Sequence, residues 1–159
     1  MSGEGRPAEE RVDGTGLTVA VVHGTWHREI ADGLVAGARR VLEESGARIQ
    51  YIEVPGSFEL PVVAQAALNA GADAVVALGV IIRGGTPHFD FVADAATRGL
   101  TDVALVSGKA VGFGVLTLDT EQQGLDRAGL PGSKEDKGAE AATAALRTAA
   151  TLRALRPVQ

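Results

Sequence analysis

The sequence predicts a three-layer α/β/α fold, in which a four-stranded parallel sheet lies between two layers of helices. Four short apolar segments rich in β-branched residues alternate with longer segments whose apolar residues recur at helical spacing. The 21 glycines, about double the usual share, cluster at the ends of these segments, where the backbone turns. The length of 159 residues matches a single domain. Strands that alternate with crossover helices form a parallel sheet covered on both faces.

The strands are predicted where the apolar run is nearly continuous, as expected for strands covered on both faces. They span residues 17–24, 48–54, 73–82 and 111–118. The third segment is the most apolar of the four. It is therefore predicted at the centre of the sheet.

Five helices are predicted between and after these strands. They span residues 27–44, 58–70, 88–105 and 120–128, with a last helix that follows a loop at 129–133 and ends near residue 155. Ser45-Gly46 supplies a stop signal for the first helix, and Pro61 falls in a first turn, where proline is tolerated. This order of elements predicts a flavodoxin-like fold. Residues 1–15 are polar and aperiodic, which predicts a flexible N-terminal arm before a single domain at 16–159.

The composition disfavours several classes of protein. The longest apolar run, Ala74 to Ile82, is less than half of the roughly 20 residues that span a bilayer, so no membrane helix is predicted. The N-terminal segment has no apolar stretch like that of a signal peptide, which predicts a cytoplasmic location. A net charge of −5 argues against a nucleic-acid surface. The absence of cysteine excludes disulfides, thiolate nucleophiles and cysteine-bound metals.

Ligands of such sheets bind at the carboxyl ends of the strands, which makes four loops candidate sites. These loops span residues 23–27, 55–59, 83–88 and 118–121. In the third loop, Gly84 and Gly85 precede Thr86 as the predicted N-cap and Pro87 at the first helical position. Free backbone N–H groups at this helix end, with the Thr86 hydroxyl, would bind an anion such as phosphate. The alternative is a helix that is simply well capped.

Three histidines, His23, His27 and His88, lie at predicted junctions between strands and helices. His88 follows the predicted anion site and could transfer protons near neutral pH, or it could be a solvent-facing residue of the first turn. No spacing typical of metal ligands supports a three-histidine metal site. Trp26 is the only tryptophan; it could stack on a heterocycle, or pack in the core or a subunit contact.

Three charged residues could either contact a ligand or have an ordinary structural or surface role. Glu59 is predicted in the first turn of the second helix, where the helix dipole stabilises a carboxylate. The functional alternative is that Glu59 contacts a polyol ligand. Arg127 and Lys137 flank a loop of an acidic chain, where solvated surface charge is the usual interpretation. Other motifs are absent: Gly108-Lys109 is followed by Ala110, so there is no P-loop, and no GxGxxG or GxSxG pattern occurs.

Six sequence blocks are distributed along nearly the whole chain after the predicted arm. The blocks are Gly24-Thr-Trp-His27, Val54-Pro-Gly-Ser-Phe-Glu-Leu-Pro61, Ala77-Leu-Gly-Val-Ile-Ile-Arg-Gly-Gly-Thr-Pro-His-Phe-Asp90, Phe113-Gly-Val-Leu-Thr117, Leu125-Asp-Arg-Ala-Gly129 and Glu135-Asp-Lys-Gly138. In this order and spacing, the chain resembles the 6,7-dimethyl-8-ribityllumazine synthase family of riboflavin biosynthesis. Several blocks at matching spacing are far more specific than any one of them.

The resemblance implies a transferase for the penultimate step of riboflavin biosynthesis. The implied reaction condenses 5-amino-6-(D-ribitylamino)uracil with 3,4-dihydroxy-2-butanone 4-phosphate, and gives the lumazine, inorganic phosphate and water. No cofactor and no metal are implied.

The resemblance also implies roles for individual residues. Trp26 would stack on the pyrimidine ring, and His88 would shuttle protons. Gly85 and Thr86 would bind the phosphate together with Arg127. The residues implied to hold the ribityl chain are Ser57, Phe58 and Glu59. The residues implied to present backbone groups to the ring are Val80, Ile81 and Ile82. The residues implied to come from a neighbouring subunit are Phe113, Arg127 and Lys137.

A site shared between subunits implies a homo-oligomer, and the family divides between free pentamers and sixty-subunit shells. The connection from Arg127 to Lys137 looks longer than in relatives that build shells and contains Pro131, which favours an isolated pentamer. Riboflavin synthase is a further candidate partner. The chain departs from the commoner family pattern at four positions, none of which removes a proposed ligand-contacting side chain. These positions are Gly85, Ala110, Gln122 and Gly124.

Two other functions remain as alternatives. A binding or scaffold protein would keep the pocket without turnover, but binding a neutral ring would not need the phosphate site of Thr86, His88 and Arg127. A generic phosphosugar- or nucleotide-binding domain would bind nucleotides and not ribitylaminouracil.

Overall fold

The computed structural model describes residues 4–8 and 10–157, and its elements alternate between strand and helix as predicted. The strands are β1 (Thr18–Gly24), β2 (Arg48–Val54), β3 (Ala74–Ile82) and β4 (Ala110–Leu118). The helices are α1 (Arg28–Ser45), α2 (Leu60–Asn69), α3 (His88–Ser107), α4 (Glu121–Leu125) and α5 (Lys137–Ala154). A 3-10 turn at Ser57–Glu59 precedes α2.

The four strands form one parallel sheet in the order β2-β1-β3-β4. β3 pairs with β1 on one side and with β4 on the other, and every residue of β3 except Ile82 is buried. The predicted central position of this strand is therefore confirmed. A continuous apolar sequence suits it because both of its faces are covered by helices.

Two apolar clusters hold the layers together, one on each face of the sheet. Ile30 and Leu34 of α1 and Leu146 of α5 are fully buried in the first cluster. Leu60 of α2 and Leu100 of α3 are buried in the second cluster. This arrangement of helices on both faces of a parallel sheet confirms the predicted three-layer, flavodoxin-like architecture.

The fourth helix is shorter than predicted, because the prediction extended it to residue 128. α4 ends at Leu125, since Ala128 makes an antiparallel bridge with Asp136 and cannot continue the helix. Gly129 then has a φ of +65°, a conformation that glycine adopts without strain. The connection to α5 consequently runs through residues 126–136 and is longer than the predicted loop at 129–133.

The segment before β1 contacts the end of α1. The Arg11 guanidinium donates to the Glu44 carbonyl oxygen at 2.7 Å, and the Gly14 N–H donates to the Ser45 carbonyl oxygen at 2.8 Å. The predicted arm at 1–15 includes residues 1–3 and 9, which lie outside the described residues, and its flexibility stays a prediction. None of the described helices is both long and apolar enough to cross a membrane.

Candidate active site

A cleft of about 370 Å³ opens at the carboxyl ends of the strands. The loops after β1, β2 and β3 all contribute to it, as predicted from the fold, whereas the loop after β4 does not. The cleft is lined by Trp26, His27, Gly56, Ser57, Phe58, Glu59, Val80, Ile81, Ile82, Gly84, Thr86, His88, Phe89 and Val92. Its volume falls within the range of pockets for small organic ligands.

Trp26 lies at the rim of this cleft, with 67% of its surface exposed. The possibility that it is a core tryptophan is therefore wrong. The loop that carries it is tied to the loop after β2, because the Thr25 N–H and hydroxyl both donate to the Pro55 carbonyl oxygen, at 3.3 and 2.7 Å. The adjacent His27 has a φ of +55°, an uncommon conformation for a residue with a side chain.

The segment after β2 places a carboxylate and a hydroxyl at the cleft. Glu59 belongs to the 3-10 turn that precedes α2 and not to the first turn of the helix itself. Its Oε2 accepts a hydrogen bond from the Gly56 N–H at 3.0 Å, which fixes the carboxylate against the backbone. Ser57 is buried, and Phe58 is exposed at the opening. A ligand in the cleft would therefore meet both polar and apolar groups from this segment.

The end of β3 offers backbone groups to the cleft. β1 pairs with β3 only as far as His23 and Leu78, so β3 extends four residues beyond this pairing. The Arg83 N–H donates to the Leu118 carbonyl oxygen of β4, and backbone groups of alternate residues in a parallel strand point to opposite neighbours. The backbone N–H and C=O groups of Val80 and Ile82 consequently point away from β4, toward the side where β1 has ended.

The glycine-rich loop lies beside the N-terminus of α3. A methyl group added to Gly84 or Gly85 would meet no atom within 4 Å, so the loop backbone is accessible to a ligand. The predicted cap is wrong by one residue: Pro87 is the N-cap and α3 begins at His88, since Pro87 has a ψ of 4° and lies outside the helix. The Thr86 hydroxyl accepts the His88 N–H at 3.4 Å. The positive end of the helix dipole still favours an anion at this place.

His88 is exposed in the first turn of α3 and lines the cleft. Two further residues of the same helix, Phe89 and Val92, also line it, and sequence reasoning did not select them. The spacing of four residues between His88 and Val92 places both on one face of a helix, which is a signal that could have identified Val92.

The three histidines do not converge on one point. His27 and His88 line the cleft, whereas His23 lies in β1 beside Glu53 of β2 and does not line it. Partial burial lowers the pKa of His23 below its ordinary value, against the opposing effect of the nearby Glu53 carboxylate. Within residues 4–8 and 10–157, no cluster of histidine, aspartate and glutamate has the form of a metal site.

Four of the predicted site residues do not line the cleft of their own chain. Gly85 belongs to the loop beside it. Phe113 lies on the outer strand β4 with 47% of its surface exposed. Arg127 lies in the connection between α4 and α5, and Lys137 is the first residue of α5. The Lys137 N–H donates to the Arg127 carbonyl oxygen at 2.9 Å.

One carboxylate lies between these two cations. Glu135 is 3.5 Å from the Arg127 Nε and 3.4 Å from the Lys137 Nζ. The Arg127 Nη1 also donates to the Gln123 carbonyl oxygen at 2.9 Å. The Lys137 Nζ also donates to the Glu140 Oε2 at 2.8 Å. The two cations therefore share the Glu135 carboxylate, and neither of them lines the cleft of the same chain.

Comparison with known proteins identifies the family of this chain. The family model described as 6,7-dimethyl-8-ribityllumazine synthase matches residues 16–153. A protein of that name from Leifsonia xyli is 73% identical over 157 residues, which cover 98% of this chain and 99% of the relative. Relatives of the same name from Clavibacter sepedonicus and Kineococcus radiotolerans are 69% and 62% identical, and each comparison covers at least 98% of both chains. The chain therefore belongs to the 6,7-dimethyl-8-ribityllumazine synthase family.

Proposed function

We propose that the cleft is the active site in which this enzyme condenses 5-amino-6-(D-ribitylamino)uracil with 3,4-dihydroxy-2-butanone 4-phosphate to form 6,7-dimethyl-8-ribityllumazine. The observation that carries the proposal is the convergence of three loops on one cleft. They bring together an exposed indole ring, a fixed carboxylate and a glycine-rich loop beside a helix N-terminus. These groups match a flat heterocycle, a polyol chain and a phosphate.

The pyrimidine substrate would lie between Trp26 and the end of β3. The indole of Trp26 supplies a flat apolar surface for the ring. Ile81 and the backbone groups of Val80 and Ile82 would border the ring on its other side. The ribityl chain would extend toward the segment of Ser57, Phe58 and Glu59, where hydroxyl groups meet a carboxylate and backbone polar groups.

The butanone phosphate would bind with its phosphate on Gly85 and Thr86. The N–H groups of the loop and the positive end of the α3 dipole favour a dianion there. This position places the leaving phosphate next to His88, the first residue of the helix.

The chemistry requires proton transfers and orientation, and the residues of the cleft are suited to both. The substrate amine and the ketone form an imine with loss of water, phosphate is eliminated, the resulting enol tautomerises, and ring closure releases a second water. His88 would give and accept the protons of these steps. Binding both substrates in one cleft lowers the entropic part of the barrier. No step calls on a cofactor.

A neighbouring subunit would complete the site with Phe113, Arg127 and Lys137. The separation of these residues from the cleft of their own chain supports this part of the proposal. Contacts between two different surfaces of each subunit would close a ring, in which each cleft meets the next subunit. The proposed ring is a pentamer. We place this enzyme in the cytoplasm, with riboflavin synthase as the partner that takes up the product.

The experiment is to incubate the purified protein with both substrates and to follow lumazine absorbance and phosphate release together. The proposal predicts equal amounts of lumazine and phosphate, and no lumazine when either substrate is omitted. Phosphate release without lumazine, or no reaction at all, would contradict it.

Fluorescence of Trp26 separates the alternatives, because this residue is the only tryptophan. Quenching by the pyrimidine substrate without turnover would identify a binding or scaffold protein. Binding of nucleotides without quenching by the pyrimidine would identify a generic nucleotide-binding domain.

A further inference from the structure

Arg83 connects the two ends of the glycine-rich loop, although none of the proposed substrate contacts involves it. Its Nε lies 3.0 Å from the Asp119 Oδ1, just beyond β4, and its Nη1 lies 3.6 Å from the Asp90 Oδ1 in the first turn of α3. Its guanidinium carbon lies 4.4 Å from the centre of the Phe89 ring. Arg83 precedes the loop, and its side chain thus contacts both the helix that follows the loop and the residue just beyond β4.

The loop between these ends has few contacts of its own. Added methyl groups at Gly84 and Gly85 would meet nothing within 4 Å, and glycine leaves the backbone free to take many conformations. The hydrogen bond from the His88 N–H to Thr86 is long, at 3.4 Å. The conformation of the loop therefore depends on how its two ends are held.

We propose that Arg83 is a positioning residue, which holds the loop of Gly84, Gly85 and Thr86 in the conformation that binds the phosphate of the substrate. The proposal gives Arg83 no direct contact with the phosphate, because its Nε and Nη1 face two carboxylates. This inference rests on the proposed function, since it assigns the phosphate to that loop.

Arg83 also neutralises the carboxylates that lie close to the loop. Without Arg83, Asp90 and Asp119 would present two negative charges near the site of a dianion. The hydrogen bond with Asp119 raises the pKa of the Arg83 guanidinium, which is charged near neutral pH with or without this partner.

The contribution of Arg83 to stability is expected to be small, because its ion pairs are exposed to solvent. The side chains of Arg83, Asp90 and Asp119 are 49%, 64% and 68% exposed. Exposed ion pairs contribute little to the free energy of unfolding. The loss of Arg83 should therefore appear in the binding of the phosphorylated substrate and not in the melting temperature.

The first test compares Arg83→Gln and Arg83→Lys with the unmodified protein. The KM for the butanone phosphate should rise about 10-fold in Arg83→Gln, because a displaced binding group loses most of its contribution. The KM for the pyrimidine should change less than about twofold. Arg83→Lys should recover only part of the loss, since an ammonium group cannot bond two carboxylates as the planar guanidinium does.

The matched control is Arg98→Gln, which removes the ion pair of Arg98 with Asp94 on the same helix. It should leave both KM values unchanged. An equal rise of both KM values in Arg83→Gln, or full recovery by Arg83→Lys, would overturn the proposal.

A second variant, Asp119→Asn, keeps Arg83 but removes its closest carboxylate. The proposal predicts a higher KM for the butanone phosphate, because Arg83 is then held less firmly. A lower KM would mean that the released guanidinium binds phosphate itself, and it would overturn the positioning role.

Inorganic phosphate provides a readout that does not require turnover. Its affinity for the whole protein, measured by titration calorimetry, should fall in Arg83→Gln and stay unchanged in Arg98→Gln. If the unmodified protein forms no lumazine, the proposed function fails, while the difference in phosphate affinity still tests Arg83 separately.

Discussion

Gly56 and Gly79 lie beneath the side chains of Trp26 and Ser57. A methyl group on Gly56 would lie 3.1 Å from two atoms of the Trp26 ring, and one on Gly79 would overlap the Ser57 hydroxyl. Both glycines therefore permit a close approach of a cleft side chain to the backbone. A larger residue at either position would displace the group that we assign to the pyrimidine or to the ribityl chain.

His88→Ala should slow turnover by about 10- to 1,000-fold, because the binding groups of the cleft remain while one acid–base group is lost. The variant should fold normally, since His88 is exposed. Initial rates at saturating substrates measure the effect. A rate equal to that of the unmodified protein would contradict the proton-transfer role.

His23 should make stability depend on pH. Burial lowers its pKa, and the charges of Glu53, Arg28 and Asp32 act on it more weakly. The folded state therefore holds the neutral form where the unfolded chain already binds a proton, so the free energy of unfolding should decrease as the pH falls below the ordinary value of 6.5.

The measurement is the urea midpoint at several pH values between about 7.5 and 5.5, in the unmodified protein and in His23→Asn. The variant should show the smaller decrease in midpoint as the pH falls. Equal decreases in the two proteins would show that His23 does not cause the dependence.

At the level of elements, the sequence predicted the strands better than the connection between α4 and α5. The continuous apolar character of β3 identifies a buried strand without knowledge of its neighbours. The end of α4 depends on the bridge between Ala128 and Asp136, which joins residues eight apart and leaves no periodic signal. For the same reason, the sequence did not indicate that Glu135 lies between Arg127 and Lys137.

Arg127→Ala should raise the KM for the butanone phosphate more than the KM for the pyrimidine, since the proposed function assigns its charge to the phosphate. The matched control is Lys134→Ala, because Lys134 is a highly exposed cation of the same connection and lies 4.0 Å from Asp126. Steady-state kinetics with each substrate varied in turn give both constants. Equal increases in the two KM values would instead indicate a structural role for Arg127.

At the level of the whole molecule, the position of the cleft could be predicted from the order of strands and loops. The order of elements could not predict which residues a neighbouring subunit would add to the cleft. Topology places the loops after β1, β2 and β3 at one end of the sheet. Nothing in the order of elements determines where Phe113 lies relative to another chain. The resemblance to a family supplied that assignment, and the exposure of Phe113 on an outer strand is compatible with it.

Light scattering should give a particle of about 82 kDa, five times the chain mass of 16.3 kDa. Large apolar side chains exposed on a single chain favour burial between subunits, and they include Phe91, Leu105, Val106 and Phe113. A particle near a megadalton would contradict the pentamer and indicate the sixty-subunit shell.

The most direct test of the shared active site is to unfold and refold His88→Ala and Arg127→Ala chains together. Each variant alone should have low activity at limiting butanone phosphate. In mixed oligomers, about a quarter of the clefts would combine an intact His88 with an intact Arg127 from the next subunit, so activity should rise well above that of either variant. Variants refolded separately and then combined are the control. Activity in the co-refolded mixture no higher than in this control would contradict an active site formed by two subunits.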